Sequence, residues 1–274
     1  MERRTGPRRD TTTPTRATST ARSRHGRVRN VNLLLLRPDE LATDSTVTLR
    51  DRRLVHAREV LRVTPGDQLR VGVRGGRLGN GVVVERTAAA LTLRVTLTDD
   101  PPARPGIDLL LAIPRPKALK RVIPAVASLG VDRVVLLNAA RVEKSYFDAK
   151  VLTKETLDAL IDLGLEQAKD TVPPVIEVRE RFKPFIEDEL ETWAPPGALR
   201  LVPHPLAAEP ARAMPTEKRL VIAIGPDGGW VPYEIDLLAR HGFEPISLGD
   251  RVLRGEVAVP AVIAALRPGL TLLG

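Results

Sequence analysis

The sequence predicts an α/β fold, in which a mostly parallel sheet is covered by helices on both faces, preceded by a small β-barrel. Downstream of residue 106, near-continuous apolar runs alternate with helical stretches, which is typical of buried parallel strands. Upstream, short alternating runs at 47–97 are separated by the turn signals Pro65-Gly66-Asp67 and Gly79-Asn80-Gly81. A Pro-rich stretch, DDPPARPG, lies between the two regions. The predicted units are a barrel at 30–98, a linker at 99–106 and an α/β domain at 107–274.

Composition limits the chemistry available to the chain. Its 274 residues include no cysteine, which excludes disulfides, cysteine-ligated zinc and thiol nucleophiles. The four histidines are scattered without metal-ligand spacing, so no metal site is expected. No apolar run approaches the ~20 residues of a membrane span, and no secretory signal with an apolar core is seen. We therefore expect a cytoplasmic protein.

The net charge of +8 and the pI of about 10.3 have two interpretations, a polyanionic partner or a high-GC coding bias toward arginine. Part of the excess lies in residues 1–29, which are rich in Arg, Thr and Ser and are predicted to be disordered. This tail has three interpretations: an RNA-contacting arm, an organellar transit peptide or an inert extension. Because no amphipathic helical period supports a transit peptide, the arm and the inert extension are favoured.

The barrel region also contains a short helix, RRLVHAREVLR, which concentrates basic side chains. Such residues bind phosphates and set affinity without reading sequence. Each of these basic residues, taken singly, is explained equally well as a solvent-exposed side chain that contacts no RNA. The predicted RNA contacts of this region are Arg52, Arg53, His56, Arg58 and Arg62.

In the α/β domain, apolar runs predict strands and the stretches between them predict helices. The helices are expected at 117–129, 153–168, 232–241 and 256–267. The strands, in chain order, are IDLLLAI, DRVVLL, VIEV, ALRLVPHP, RLVIAIG and EPISLG.

The stretch GPDGGW (225–230) connects one of these strands to a helix. It lacks the lysine of a phosphate-binding loop and the G-x-G-x-x-G of a dinucleotide site, and Asp227 would repel a phosphate. Glycines allow close backbone approach, so the loop suits a nucleoside without phosphates, such as S-adenosylmethionine. A tight strand-to-helix turn without a ligand is the alternative. If the loop binds a ligand, a valine at Gly229 is expected to fill the space that the backbone leaves.

Two further strand ends resemble this one. The strand EPISLG ends at Gly249 before a short polar turn and a helix, and another strand ends in LVPHP at 201–205. The helix AVPAVIAAL is apolar on every side, which indicates burial in a core or a subunit interface, with Pro260 expected in its first turn. Because open α/β sheets bind ligands at the carboxyl ends of their strands, the three loops are predicted to form one pocket.

The paired motifs IGPDGGW…EI and LGDRVLRGE resemble the ribosomal small subunit methyltransferase E family. HAREVLRVTPGD resembles that family's N-terminal PUA-like barrel, and the resemblance covers roughly residues 31–274. The segments NLLLL, RPK, RVEKSYF, LGLEQAKDT and RFKPF resemble one diverged subgroup.

The resemblance implies a SPOUT-class enzyme that methylates N3 of a uridine in 16S rRNA with S-adenosylmethionine. It also implies a homodimer and a trefoil knot at about 199–270, a rare exception to the rule that chains are unknotted. The cofactor-binding residues that it implies are Leu201, His204, Ile224, Gly225, Pro226, Gly228, Gly229, Leu248, Gly249, Val252, Leu253 and Arg254.

Three departures from the family pattern fall at RNA-facing positions. The family reads R-x-E-T after the last loop, whereas this chain has Arg254-Gly255-Glu256-Val257 and so lacks a hydroxyl at 257. Asp170 replaces an arginine that commonly follows the EQ pair at 166–167. Polar residues usual on the helix after the first strand are here Pro124, Ala125 and Ser128.

The residues also indicate a mechanism. Methylation of C5 of a uridine generally needs a cysteine nucleophile, which is absent. N3 carries an acidic imide proton, and once the proton leaves, the nitrogen can attack a sulfonium methyl group directly. Arg254 is the candidate to stabilise negative charge on the uracil, and Glu256 is the candidate to orient it or accept the proton. An Arg254–Glu256 bridge that pins the loop is the alternative.

The substrate RNA is expected to contact the α/β domain through Lys117, Arg141 and Lys144, with Lys120, Arg121 and Tyr146 as neighbours. The target base must leave its stack for N3 to be reached. Two other functions stay open: a SPOUT enzyme acting on a ribose 2′-hydroxyl or another RNA site, and a non-catalytic RNA-binding assembly factor.

Overall fold

The computed structural model describes residues 32–270, so the predicted disordered tail lies outside the described part. The strands are β1 (Leu34–Leu36), β2 (Thr46–Leu49), β3 (Gln68–Val73), β4 (Leu78–Arg86), β5 (Leu91–Asp99), β6 (Ile107–Ala112), β7 (Arg133–Leu137), β8 (Val175–Arg179), β9 (Leu199–Pro203), β10 (Leu220–Ile224) and β11 (Phe243–Ile246). The α-helices are α1 (Arg52–Glu59), α2 (Pro116–Ser128), α3 (Lys154–Ala168), α4 (Phe182–Pro184), α5 (Leu190–Trp193), α6 (Pro232–Arg240) and α7 (Gly255–Leu266). Single 3-10 turns occur at Pro38–Glu40, Lys144–Tyr146 and Lys150–Leu152, and a π-helical segment at Phe185–Glu189.

The N-terminal region is a five-stranded sheet in the order β1-β3-β4-β5-β2, in which only β1 and β3 are parallel. Side chains alternate between buried and exposed along β5, as expected for a strand with one face on a core. That core is formed largely by Leu36, Leu49, Leu54, Leu91 and Leu93. The small all-β unit therefore agrees with the sequence, and its closure into a PUA-like barrel stays a prediction.

The second sheet has six parallel strands in the order β11-β9-β10-β6-β7-β8. Every residue of the central strands β6 and β10 is buried, which requires protein on both faces of the sheet. The predicted α/β architecture is confirmed. The trefoil knot stays a prediction.

Helix α7 begins earlier than was expected from the position of Pro260. Its first residue is Gly255, so Pro260 lies in the second turn and not in the first, where the sequence predicted it. A proline at that position removes the N–H that would bond the backbone carbonyl of Glu256. Val259, Val262, Ile263 and Leu266 are buried against the domain core.

Close packing of α2 against α3 accounts for the unusual small residues of α2. A Cβ on Gly164 would lie 2.3 Å from the carbonyl oxygen of Pro124 and 2.7 Å from Cβ of Ala127, so only glycine fits there. Ser128 donates a hydrogen bond to the Gly164 carbonyl at 2.9 Å. One of the departures on this helix, Ser128, therefore serves helix packing, whereas Pro124 contributes its backbone carbonyl, which any residue would supply.

Asp170 also has a structural role. It accepts a hydrogen bond from Arg104, in the predicted linker, at 3.2 Å and caps the backbone N–H groups of Thr171 and Val172. Arg104 also pairs with Asp132. The linker is thereby fixed to the α/β domain.

Ion pairs join the regions of the two sheets. Arg52 makes two hydrogen bonds to Glu166 of α3, at 2.9 and 3.0 Å, and Arg74 pairs with Asp158 and Asp162 of the same helix at 2.9 and 2.8 Å. The apolar side chains Leu33, Leu35 and Leu78 belong to the core of the α/β domain. We call this set of contacts the domain junction.

Candidate functional site

The loops after β9, β10 and β11 meet at the carboxyl edge of the parallel sheet and line one cavity of about 460 Å³. Its walls are mostly apolar side chains and glycine backbone, and its charged members are Arg141, Asp227, Asp250 and Arg251. The sequence-predicted residues that line it are His204, Ile224, Gly225, Pro226, Gly228, Gly229, Leu248, Gly249, Val252 and Leu253.

Two predicted cofactor residues, Leu201 and Arg254, are not among the lining residues. Leu201 lies within β9 with 3% of its surface exposed, so it supports the sheet beneath the loop. Arg254 caps α7, its carbonyl accepting hydrogen bonds from the N–H groups of Val257 and Ala258 at 2.8 Å, and its side chain is exposed. Neither position supplies a wall of the cavity in this conformation.

The glycine loop, residues 225–231, is built around Trp230. Its indole lies under Gly225, where a Cβ would be 3.0 Å from Nε1, so a side chain at 225 would displace the ring. Trp230 is 7% exposed, and its ring centroid lies 5.3 Å from that of Phe182 with the two rings tilted by 39°. Its Nε1 has no hydrogen-bond partner among the described residues. A buried N–H without a partner at a cavity wall marks a place for a ligand acceptor.

Gly229 is needed for its backbone conformation. Its φ is +72°, and a Cβ at this position would have Nη1 of Arg141, at 3.9 Å, as its nearest neighbour. The space beside this Cβ is open in the ligand-free cavity, so the expectation that a valine would fill space needed by a ligand stays a prediction. The left-handed backbone is what disfavours a branched side chain.

Arg141, predicted to contact RNA, also lines the cavity. It lies in the loop after β7, and its guanidinium donates a short hydrogen bond to the carbonyl oxygen of Gly228. The same loop carries Tyr146, whose phenol donates to Glu143 at 3.1 Å. Desolvation and that hydrogen bond raise the pKa of Tyr146, so it stays a neutral donor. Lys144 is exposed beside them.

Glu256 is held by α2 and not by Arg254. Its Oε1 lies 3.4 Å from Nη1 of Arg121, and no Arg254–Glu256 ion pair occurs among residues 32–270. The alternative of a bridge between these two residues is therefore wrong. The Glu256 side chain is 12% exposed, and its Oε2 is buried without a hydrogen-bond partner in the described part of the chain. Glu256 is not among the residues that line the cavity, although its neighbours Gly255 and Ala258 are.

On α1, the structure gives Arg53 a role other than RNA contact. It is 9% exposed and bonds Glu40, Asp51 and the carbonyl of Leu35. Burial opposes its charge, but the hydrogen bonds to the two carboxylates outweigh that effect and raise the pKa of Arg53. Its head group is thus occupied inside the fold.

The other predicted basic contacts lie at the surface. Arg52 is 58% exposed although it pairs with Glu166, and Arg58 pairs with Glu59 at 2.7 Å. His56, Lys117 and Lys120 are exposed, and Arg62 is a positive-φ residue with φ +49°.

Residues missed by sequence reasoning include Leu206, Trp230 and Glu234. Trp230 and Glu234 belong to the motif IGPDGGW…EI. Glu234 lies three residues after the residue that caps the helix, a position where a glutamate commonly accepts a backbone hydrogen bond, so the sequence could have indicated its role. Leu206 lines the cavity with 88% of its surface exposed and had no such signal. No group of three or more metal-ligating side chains occurs in the described ranges, and no helix there is long and apolar enough to cross a membrane.

Known proteins resemble this chain over the same regions. A sequence model of the RNA methyltransferase domain matches residues 102–267, so the chain belongs to the RNA methyltransferase family. A relative in Treponema pallidum is 28% identical over 86% of this chain and 90% of its own length, and one in Mycobacterium bovis is 28% identical over 77% and 82%. Both relatives are named ribosomal RNA small subunit methyltransferase E, which confirms the resemblance stated from the motifs.

Solved structures agree on the fold. A ribosomal RNA small subunit methyltransferase E from Neisseria gonorrhoeae, bound to S-adenosylmethionine, superposes with a TM-score of 0.69 at 21% identity, covering 86% of this chain and 96% of that one. A methyltransferase from Legionella pneumophila, also solved with that cofactor, gives 0.69 at 24% identity with the same coverage.

Proposed function

We propose that this protein transfers a methyl group from S-adenosylmethionine to N3 of a uridine in 16S rRNA. The observation that carries the proposal is the single cavity built by three strand-end loops, whose glycine loop has no phosphate-binding lysine. Such a pocket of backbone groups beside an acid suits a cationic nucleoside. Relatives in Treponema pallidum and Mycobacterium bovis are named as small-subunit rRNA methyltransferases, which supports the same substrate.

The residues present fit the cofactor. A cavity of about 460 Å³ lies within the size range of small-molecule sites, ~300–1,000 Å³. The apolar walls at Ile224, Leu248 and Val252 suit an adenine ring, the unpaired N–H of Trp230 suits an acceptor, and Asp227 suits the cationic part of the ligand. When bound, S-adenosylmethionine supplies an electrophilic methyl group on a sulfonium.

This chain's own residues then have to prepare the base. The imide proton of N3 leaves to a carboxylate, for which we propose the unpartnered Oε2 of Glu256, and the negative charge left on the uracil is stabilised by Arg254. Arg121, whose side chain is 62% exposed, lies 3.4 Å from Oε1 of Glu256 and leaves Oε2 without a partner in the described part of the chain. The nitrogen lone pair that the proton leaves behind would form the new N–C bond as the methyl–sulfur bond breaks, with that bond's electron pair returning to sulfur to leave a neutral thioether.

The RNA is expected to lie across the exposed basic side chains on the cavity side and on α1. Phosphate contacts set affinity and register, so RNA binding should weaken steeply with salt. We expect the reaction to take place in the cytoplasm, on small-subunit rRNA. The proposed contacts are His56, Arg58, Arg62, Lys117, Arg141 and Lys144, with Arg52 at the domain junction.

We also propose that the protein acts as a homodimer with a knotted α/β domain and a PUA-like N-terminal unit. The outward face of α7 supports the dimer, because Val257 and Ala264 are exposed and Ala261 is half-buried, without a charged residue among them. A free apolar helix face of this kind is typical of a subunit interface. Light scattering at micromolar concentration tests the dimer, and a folded monomer would contradict it.

The activity is tested by nucleoside mass spectrometry of 16S rRNA from cells with and without the gene. Loss of N3-methyluridine alone supports the proposal. Loss of a 2′-O-methyl nucleoside would assign the enzyme to ribose methylation, and an unchanged nucleoside profile with an assembly defect would indicate a non-catalytic factor.

A further inference from the structure

Glu234 is a buried carboxylate that the chemistry proposed above does not use. It lies on α6 with 3% of its surface exposed. Its Oε2 accepts a hydrogen bond from the backbone N–H of Val231 at 2.9 Å, and its Oε1 accepts one from the backbone N–H of Ala140 at 2.7 Å. A buried carboxylate is costly without donors, so these two charge-assisted bonds are strongly favoured.

The two donors belong to different loops. Val231 ends the glycine loop. Ala140 belongs to residues 138–143 after β7, which we call the β7 loop, and lies 94 positions from Glu234. Within the β7 loop, the N–H of Ala139 donates to Oδ1 of Asn138 and the N–H of Val142 donates to the carbonyl of Ala139, both at 2.9 Å. Fixing Ala140 therefore fixes a compact turn.

Arg141 is the next residue of that turn. Its guanidinium donates to the Gly228 carbonyl, and its Cδ would lie 3.0 Å from a Cβ at 228, so the aliphatic part packs on the glycine loop. Its position is set at two points, by Glu234 through the backbone and by Gly228 at the head group. A guanidinium has five N–H donors, so others stay available for a phosphate.

We propose that Glu234 is a positioning residue that locks the β7 loop to the glycine loop and so holds Arg141 at the mouth of the cavity for an RNA phosphate beside the target base. This inference rests on the proposed function. Because one carboxylate bonds both loops, the RNA-binding and cofactor-binding surfaces form one rigid unit. Glu234 contacts neither ligand itself.

The test is Glu234→Gln in the full chain. A glutamine has one acceptor oxygen, so in either orientation of its amide it can accept from only one of the N–H groups of Val231 and Ala140, and the link between the two loops is broken. The Kd for unmodified 16S rRNA at fixed salt should rise about tenfold, while the Kd for S-adenosylmethionine by calorimetry changes little. The matched control is Asp236→Asn, an equal charge change at an exposed position of the same helix, which should leave both values unchanged.

A double-mutant cycle with Arg141→Ala separates positioning from stability. If Glu234 acts through Arg141, adding Glu234→Gln to Arg141→Ala weakens RNA binding no further. Additive effects, or an unchanged RNA Kd in a folded variant with a lower Tm, would overturn the proposal. If Glu234→Gln does not fold, Glu234→Asp, which keeps the charge but is too short to bond both donors, replaces it in the same cycle. Wild-type protein that binds no S-adenosylmethionine would contradict the proposed function instead, and the RNA cycle would still decide the role of Glu234.

Discussion

At the scale of single residues, Gly229 shows how backbone conformation controls the cavity. Its φ of +72° costs a valine on the order of 1–3 kcal/mol, which the loop would relieve by rearranging. Gly229→Val should therefore abolish detectable binding of S-adenosylmethionine in calorimetry. Gly197→Val is the matched control, because Gly197 also has φ +72° and open space but precedes β9 at the opposite end of the strand. Unchanged cofactor affinity in Gly229→Val would place the ligand elsewhere.

Glu256 is the residue on which the proton chemistry depends. Glu256→Gln removes the basic oxygen at nearly constant shape, so kcat should fall about 100-fold or more while RNA affinity is retained. Single-turnover methylation of 16S rRNA and a binding isotherm measure the two quantities. Glu244→Gln, at an exposed position of β11, is the control. If Glu256→Gln lowers Tm and keeps the rate per folded molecule, Glu256 only anchors α7 to Arg121.

At the scale of elements, the start of α1 is stabilised by a charge cluster in which Arg53 is buried and its partners Glu40 and Asp51 are 24% and 52% exposed. Asp51 caps the helix through the N–H of Arg53, and the Arg53 guanidinium bonds Glu40 and Asp51. Burial raises the pKa of Glu40, but the hydrogen bonds from Arg53 and Arg37 outweigh it, and the bond from Arg53 lowers the pKa of Asp51. Both pKa values therefore lie below their ordinary values in the folded state.

The direction of these shifts sets a pH dependence. Stabilisation from the carboxylates is fully present above their ordinary pKa values of ~4 and is lost as the pH falls through the lowered values. Arg53→Met should cost about 3 kcal/mol of unfolding free energy at pH 7, and the difference should shrink toward pH ~3. Denaturant unfolding at both pH values measures it. Arg58→Met, which removes an exposed pair with Glu59, should cost less than about 1 kcal/mol, and an equal cost for both variants would contradict the cluster's role.

The sequence predicted the helices and strands more accurately than it predicted the contacts between them. The helix expected at 117–129 is α2 at Pro116–Ser128, because proline at its start and apolar periodicity are local signals. The pairing of Arg52 with Glu166 spans 114 positions and that of Glu234 with Ala140 spans 94, so neither leaves a periodic pattern. The glycine motif therefore predicted most of the residues that line the cavity. The partners of Arg52, Arg53 and Glu256 could be identified only from the folded structure.

At the scale of the whole molecule, the domain junction fixes the N-terminal sheet, which has its own core, to the α/β domain. Leu33 and Leu35 are buried in the larger core, and the N–H of Leu33 donates to the carbonyl of Glu166 at 3.0 Å. The side chain of Thr171 bonds the carbonyl of Gly76. An RNA that contacts α1 and the cavity together thus meets two surfaces at a fixed separation, which raises its effective affinity.

A substitution at Arg74 should weaken the domain junction without changing a residue of α1 or of the cavity. Arg74→Met removes the part-buried pairs with Asp158 and Asp162 while keeping the aliphatic stem, so RNA affinity should fall about tenfold and S-adenosylmethionine affinity should not change. Arg77→Met is the matched control, since Arg77 pairs with Asp100 at the surface, where such a pair is worth about 0–1 kcal/mol. Binding isotherms for 16S rRNA at fixed salt, with calorimetry for the cofactor, separate the two affinities. If Arg74→Met lowers Tm but leaves RNA affinity at the wild-type value, the junction stabilises the fold without aligning the two surfaces.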